Sequence, residues 1–184
     1  MRGDLLRSAM DLFAKGGSRG TPLAAIAQRI GVTAPAITYH FGTKEALLLE
    51  IVEELDRADL REDVDVDWAA NIRLWARSLA ERPDYANLSR LRLVMVSEAL
   101  DVDFAAHERF VERQRKQRRL TVTALAQAQR DGQISSSADP VAVAGELVSF
   151  LQGVQLQWLL DPDEVPLVRL VDAYLDRLVA SLTP

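Results

Sequence analysis

An all-α protein of about nine helices is the fold class this sequence predicts, and three observations predict it. Apolar residues recur at three- and four-residue intervals in almost every segment, the period of one helix face. The alternation of a half-buried strand is missing, and so are the Asn-Gly turns of a hairpin. Pairs such as Gly16-Gly17, Thr21-Pro22, Asp131-Gly132, Asp139-Pro140 and Asp161-Pro162 divide the periodic stretches, as helix stops and starts do.

Leu5, Leu6, Ala9, Leu12 and Phe13 form the stripe of a first helix that ends at Gly16-Gly17. Thr21-Pro22 reads as the next start, threonine capping and proline in the first turn, before Leu23, Ile26, Ala27 and Ile30 on one face. Gly31 stops that helix and Thr33 opens a third, with Ile37 and Phe41 one turn apart. Gly42-Thr43 breaks and recaps the chain before Ala46, Leu47, Ile51 and Leu55. An acidic connector, Arg61 to Asp67, leads to an amphipathic helix with Trp68, Ile72, Trp75 and Leu79 that ends near Pro83. Helices are then predicted over Tyr85 to Leu100, over Asp103 to Arg130, and from Pro140 to about Leu160 with Asp139 as cap. The last carries Leu167, Leu170, Val171, Tyr174, Leu178 and Val179.

Composition excludes several classes of chemistry. Without cysteine there is no disulfide, thiolate zinc site or cysteine nucleophile. Two histidines far apart, no phosphate-cradling glycine signature and no serine elbow leave no catalytic constellation, so no enzyme and no cofactor are expected. Gly16-Gly17-Ser18-Arg19-Gly20 lacks the Gly-Lys-Ser/Thr ending of a P-loop. The start of the chain lacks the apolar core of a signal peptide, and no apolar run reaches the ~18 residues of a membrane span. A cytoplasmic protein without a membrane partner is expected. The net charge of −5 argues against nucleic acid taken whole, but it is unevenly spread. Residues 1–50 hold six basic residues (Arg2, Arg7, Lys15, Arg19, Arg29, Lys44) against four acidic ones, while the rest holds sixteen against twenty-three.

Thr21 to Phe41 contains two short helices joined by a tight Gly31-Val32-Thr33 turn, the arrangement that lays a second helix in the major groove. Ala27 is small where the helices cross, Val32 fills the corner and Ile37 anchors the second helix. Directly after it, Thr38-Tyr39-His40-Phe41-Gly42-Thr43-Lys44-Glu45-Ala46-Leu47-Leu48 resembles the most recognisable stretch of the TetR family of bacterial regulators. The resemblance covers about residues 2–55 and departs from the family in having Thr at position 38 and almost no arm before the first helix. It implies a three-helix DNA-binding head over residues 1–43, a linking helix over 44–60, and a helical ligand-binding and dimerisation domain over 61–184. It also implies a repressor that leaves double-stranded operator DNA when a small-molecule effector binds. An all-helical interaction module, or an enzyme without DNA binding, is the alternative.

Residue roles follow from chemistry as well. Thr21 and Thr33 place hydroxyls at helix N-termini, where amide donors and the dipole favour a phosphate oxygen. Lys44 in the first turn of the fourth helix opposes the dipole by about 0.3–1 kcal/mol, which an external anion would relieve. Tyr39 and His40 fall beside the Ile37 and Phe41 stripe and should project outward. The start of the reading helix, Ala34-Pro35-Ala36, has no side chain for bidentate base hydrogen bonds. Discrimination would rest on thymine methyl contacts, on Thr38 and Tyr39, and on DNA shape.

A two-fold operator requires a two-fold protein, with reading helices about 34–36 Å apart. Homodimerisation is expected through Leu147 and Leu151 of one helix and Leu167, Leu170, Val171, Tyr174 and Leu178 of the next. Along the long helix Phe104, His107, Phe110, Gln114, Gln117 and Thr121 recur at helical spacing, a stripe that turns from aromatic to polar. It is a candidate ligand wall, with Trp75, Met95, Gln155 and Trp158 as further candidates and ordinary packing as the alternative. The basic run Arg113 to Arg119 lies beside Glu108 and Glu112 and reads as a solvated face.

Overall fold

A computed structural model describes residues 2–59 and 67–183. Among the described residues there are nine helices and no strand, in the order the spacing predicts. They are α1 (Arg2–Gly16), α2 (Leu23–Ile30), α3 (Ala34–Phe41), α4 (Lys44–Asp59), α5 (Trp68–Glu81), α6 (Pro83–Glu98), α7 (His107–Arg130), α8 (Pro140–Leu160) and α9 (Leu167–Leu182). The expected acidic connector lies, apart from Asp67, outside the described residues. Asp139 caps α8 as predicted, accepting from the Val141 amide at 2.9 Å, and Asp67, expected only as the end of the connector, caps α5 by accepting from the Ala69 amide at 3.0 Å.

Three helix starts differ from the sequence reading, and the first is α6, which begins at Pro83 and not at Tyr85. Pro22 is the N-cap of α2, while the Thr21 hydroxyl turns back to donate to the Gly17 carbonyl at 2.8 Å. The α7 helix begins at His107, not Asp103, because Asp101 draws the preceding chain into turns. Its carboxylate accepts from the Asp103 amide at 3.0 Å and its carbonyl from the Phe104 amide at 3.1 Å. Short polar side chains compete with the helix ladder in this way.

The chain forms two compact units that do not follow chain order. The first comprises Met1–Glu62 with Asp84–Val111, and the second Asp63–Pro83 with Glu112–Pro184. In the first, Leu5, Ala9 and Phe13 of α1 meet Ile26, Ile37, Leu47, Ile51 and Leu55, and α6 closes the same core with Leu91 and Met95. Each of these is essentially removed from solvent, a burial of roughly 1.5–3 kcal/mol for a large apolar side chain.

In the second unit α9 packs on α5 and α8. Its buried stripe, Leu167, Val171, Leu175, Leu178 and Leu182, has helical spacing. Arg73 of α5 donates to Asp172 and Asp176 of α9, each at 2.7 Å, bracing the pair one helical turn apart. Four residues expected at a dimer interface, Leu147, Leu167, Val171 and Leu178, are therefore core of this unit. The apolar period of α8 and α9 does not say which face meets the chain's own helices. Of the other three, Leu151 is half-buried, Leu170 is exposed, and Tyr174 stacks on Phe150 with ring centroids 3.9 Å apart.

Candidate nucleic-acid interface

The α2–α3 pair is set by the conformation of one glycine. Gly31 takes φ 72° and ψ 29°, the left-handed region open to a residue without Cβ. This lets the Val32 amide reach the Ala27 carbonyl at 3.0 Å and the Gly31 amide the Gln28 carbonyl at 3.3 Å, a Schellman closure. Ile37 and Phe41 then turn into the core, 1% and 8% exposed. The opposite face of α3 is left outside.

That outward face carries most of the residues singled out from sequence. Thr33, Pro35, Thr38 and Tyr39 are exposed, and Ala34, Ala36, His40 and Lys44 are half-buried. Tyr39 is 87% exposed, an aromatic ring outside the fold at the end of a helix whose other aromatic, Phe41, is buried. Its ring meets His40 edge-on with centroids 5.4 Å apart. The Thr38 hydroxyl donates back to the Ala34 carbonyl at 3.3 Å, which keeps its lone pairs outward. Neither α2 nor α3 has a side-chain cap at its N-terminus. Thr33 occupies the N-cap position of α3 with its hydroxyl off the helix amides, and Thr21 is buried at 6% exposure. The Thr21 hydroxyl is thus spent on Gly17, contrary to the capping and phosphate role expected for it.

A tight reversal joins α3 to α4. Gly42 has φ 78° and ψ −86°, and the Thr43 amide donates to the Phe41 carbonyl at 3.1 Å, which is a γ-turn. The Thr43 hydroxyl then accepts from the Ala46 amide at 3.1 Å. Glu45, which the sequence reading passed over, is held below its usual carboxylate range by its own backbone amide and the Thr43 hydroxyl. An acid in a first turn is the signal for it. The helix end that Lys44 seemed to leave for an external anion is therefore served internally, and the Lys44 ammonium lies 3.4 Å from the Arg19 carbonyl.

The expected ligand stripe divides between the units. In the first, Met95, Phe104 and Phe110 belong to the buried core, and His107 pairs its Nδ1 with the Ala99 carbonyl at 2.7 Å. These four serve packing and the α6–α7 corner. In the second, Gln114 accepts from Gln152 at 2.9 Å, Gln117 is exposed and Thr121 bonds back to the Gln117 carbonyl at 3.0 Å. Trp75 and Gln155 are half-buried. Trp158 lines an open depression of ≈ 690 Å³ with Pro162, Val165, Pro166 and Leu167. Among the described residues no helix is long and apolar enough to cross a membrane, and no group of three His, Asp or Glu side chains could hold a metal ion.

The chain is similar in sequence and fold to known proteins. Residues 5–51 match the sequence pattern of bacterial regulatory proteins, tetR family. Residues 72–180 match that of the C-terminal part of BetI-type transcriptional repressors. The HTH-type transcriptional regulator TtgR of Pseudomonas putida is 29% identical over 188 residues, covering 95% of this chain and 88% of TtgR. Among solved structures, SmeT in its complex with triclosan superposes with a TM-score of 0.76 at 25% identity, over 100% of this chain and 91% of SmeT. SmeT is the repressor of the multidrug efflux pump SmeDEF of Stenotrophomonas maltophilia. A TetR-family transcriptional regulator from Cytophaga hutchinsonii shares the fold with a TM-score of 0.78 at 18% identity, over 99% and 94% of the two chains.

Proposed function

The chain belongs to the tetR family of bacterial regulatory proteins and is a DNA-binding transcriptional regulator, and from that premise we propose how its surfaces divide the work. The α3 helix enters the major groove of operator DNA with Ala34, Pro35, Ala36, Thr38 and Tyr39 toward the bases. Thr33, His40 and Lys44 contact phosphates, together with the uncapped amides that begin α2 and α3. The observation that carries this reading is Tyr39, 87% exposed on a helix whose alternate face is locked into the core. A tyrosine ring standing off the face of α3 opposite the core is placed to reach base edges or phosphate oxygens in a groove.

The regulator works as a homodimeric repressor, since a two-fold operator needs two heads. Leu156 and Leu160 of α8 with Leu170 and Val179 of α9 remain exposed on one chain and supply the apolar face for a four-helix interface. A small molecule that binds the two dimer states with different affinity shifts the heads and weakens DNA binding. The triclosan complex of SmeT makes a compact apolar aromatic compound the first probe. Polar side chains of the second unit, such as Gln114 with its partner Gln152, are candidates to orient it.

Fluorescence anisotropy with tiled duplexes flanking its own coding sequence tests the reading at several salt concentrations. One duplex should bind far more tightly than the others, with log affinity falling linearly in log salt. Equal binding to every duplex at all salt concentrations would remove the regulator from this role.

A further inference from the structure

Three donors from one corner of the head converge on a single carboxylate that belongs to neither helix of the α2–α3 pair. Glu98 is the last residue of α6. Its Oε2 accepts from the Ser18 hydroxyl at 2.6 Å and the Ser18 amide at 3.2 Å, and its Oε1 from the Arg19 amide at 3.1 Å. It lies against the backbone of Gly17, where a Cβ would stand 2.8 Å from Oε1. The corner is closed to water at Ser18, 3% exposed. Arg19 is further held by Asp101, at 2.5 Å, and its guanidinium lies over the Phe104 ring, 5.9 Å from the centroid.

An acid at the C-terminal end of a helix faces the negative end of the dipole, so Glu98 stands where its own helix disfavours it. The charge-assisted bonds from the α1–α2 corner offset that, and they are the stronger kind of hydrogen bond. The same corner presents the Arg19 carbonyl to the Lys44 ammonium at 3.4 Å. The chain from Glu98 to Ser18 and Arg19 and on to Lys44 is thus continuous within the first unit.

We propose that Glu98 is a positioning residue for DNA binding: it fixes the Ser18–Arg19 corner, and through the Arg19 carbonyl the place from which Lys44 meets the phosphate backbone. The inference rests on the phosphate role of Lys44 argued above.

A double-mutant cycle between Glu98→Ala and Lys44→Ala, read by anisotropy on the preferred duplex, tests it. Each single variant should lose about tenfold in affinity and about one unit of salt slope. The double variant should be no more than about twofold weaker than Lys44→Ala alone, because both remove the same contact. Amide exchange at Ser18 and Arg19 should speed up in Glu98→Ala and stay unchanged in Lys44→Ala. Glu98→Gln, which keeps one acceptor oxygen, should fall between wild type and Glu98→Ala, and it decides the matter if Glu98→Ala does not fold. The inference is overturned if Lys44→Ala weakens binding as described while both Glu98 variants bind within about twofold of wild type, or if the two losses multiply. A wild-type protein without sequence preference overturns the reading beneath it and this inference together.

Discussion

Two glycines in the head allow a measurement in which packing cancels and backbone conformation remains. Gly31 and Gly42 both have positive φ, and a Cβ built on either meets nothing within 4 Å. Alanine at these positions would therefore clash with no neighbour. Their ψ angles differ, 29° against −86°. The first lies in the left-handed helical well, which costs an L-residue about 1–2 kcal/mol. The second lies in the classic γ-turn region, at the upper end of the about 1–3 kcal/mol for rare backbone conformations. Either alanine recovers about 0.4–1 kcal/mol by restricting the unfolded chain. Gly31→Ala should then destabilise by about 0.5–1 kcal/mol and Gly42→Ala by about 2 kcal/mol. Urea unfolding followed by backbone circular dichroism reads the difference as a shift in midpoint at constant slope. Tryptophan emission would be the wrong probe, since Trp68, Trp75 and Trp158 all lie in the second unit. Equal costs at the two positions, or a Gly42→Ala cost under about 0.5 kcal/mol, would refute the conformational argument.

Other expectations follow from the same geometry. Lys44→Ala should weaken specific and non-specific DNA binding alike and reduce the salt slope by about one, measured by anisotropy across a salt series. Ile37→Ala, at a site 1% exposed, should cost about 2–5 kcal/mol in denaturant unfolding, because the cavity opens beneath α3. Burial and the neighbouring Glu146 carboxylate push the Tyr174 phenol up to about 12. Its folded pKa is raised, so the stability it contributes is complete below pH 10 and is lost as pH climbs toward 12. A spectrophotometric titration of wild type minus Tyr174→Phe should show that phenol ionising with a midpoint raised to about 12. Gly153 is open on the single chain, so Gly153→Arg should keep full helicity and yield monomer in sedimentation if α8 builds the two-fold face.

Helix order was legible because its signals are local. Asp139 and Gly31 act on the amides and carbonyls of their own turns, and each did what its side chain, or lack of one, requires. The exposure of Tyr39 was legible for the same reason, since it falls off the Ile37–Phe41 stripe by helical geometry alone. What stayed hidden depends on distant partners. Thr21 has the chemistry of a cap, yet Gly17 lies within reach of its hydroxyl once the α1–α2 corner folds. Leu147, Leu167, Val171 and Leu178 carry an apolar period that fits an interface between chains as well as a core within one, and the packing of α9 on α5 and α8 takes up those residues. Phe104 and Phe110 similarly fill the core beside Met95. Glu98, eighty residues from Ser18, leaves no trace in spacing; only its misplacement at a helix C-terminus hints at it.

The first unit takes its core from two stretches of sequence, and this bears on transplantation. A head cut after α4 would leave behind Leu91, Met95, Phe104 and Phe110, all buried in one core with α1 and α4 in the intact chain. It would expose that much oily surface and lose the carboxylate that gathers the α1–α2 corner. A chimera that exchanges operator preference between two such regulators should therefore carry α6 and the first turn of α7 with the reading helix. Crossover points chosen by chain order alone would sever a block of packing that can only be inherited whole.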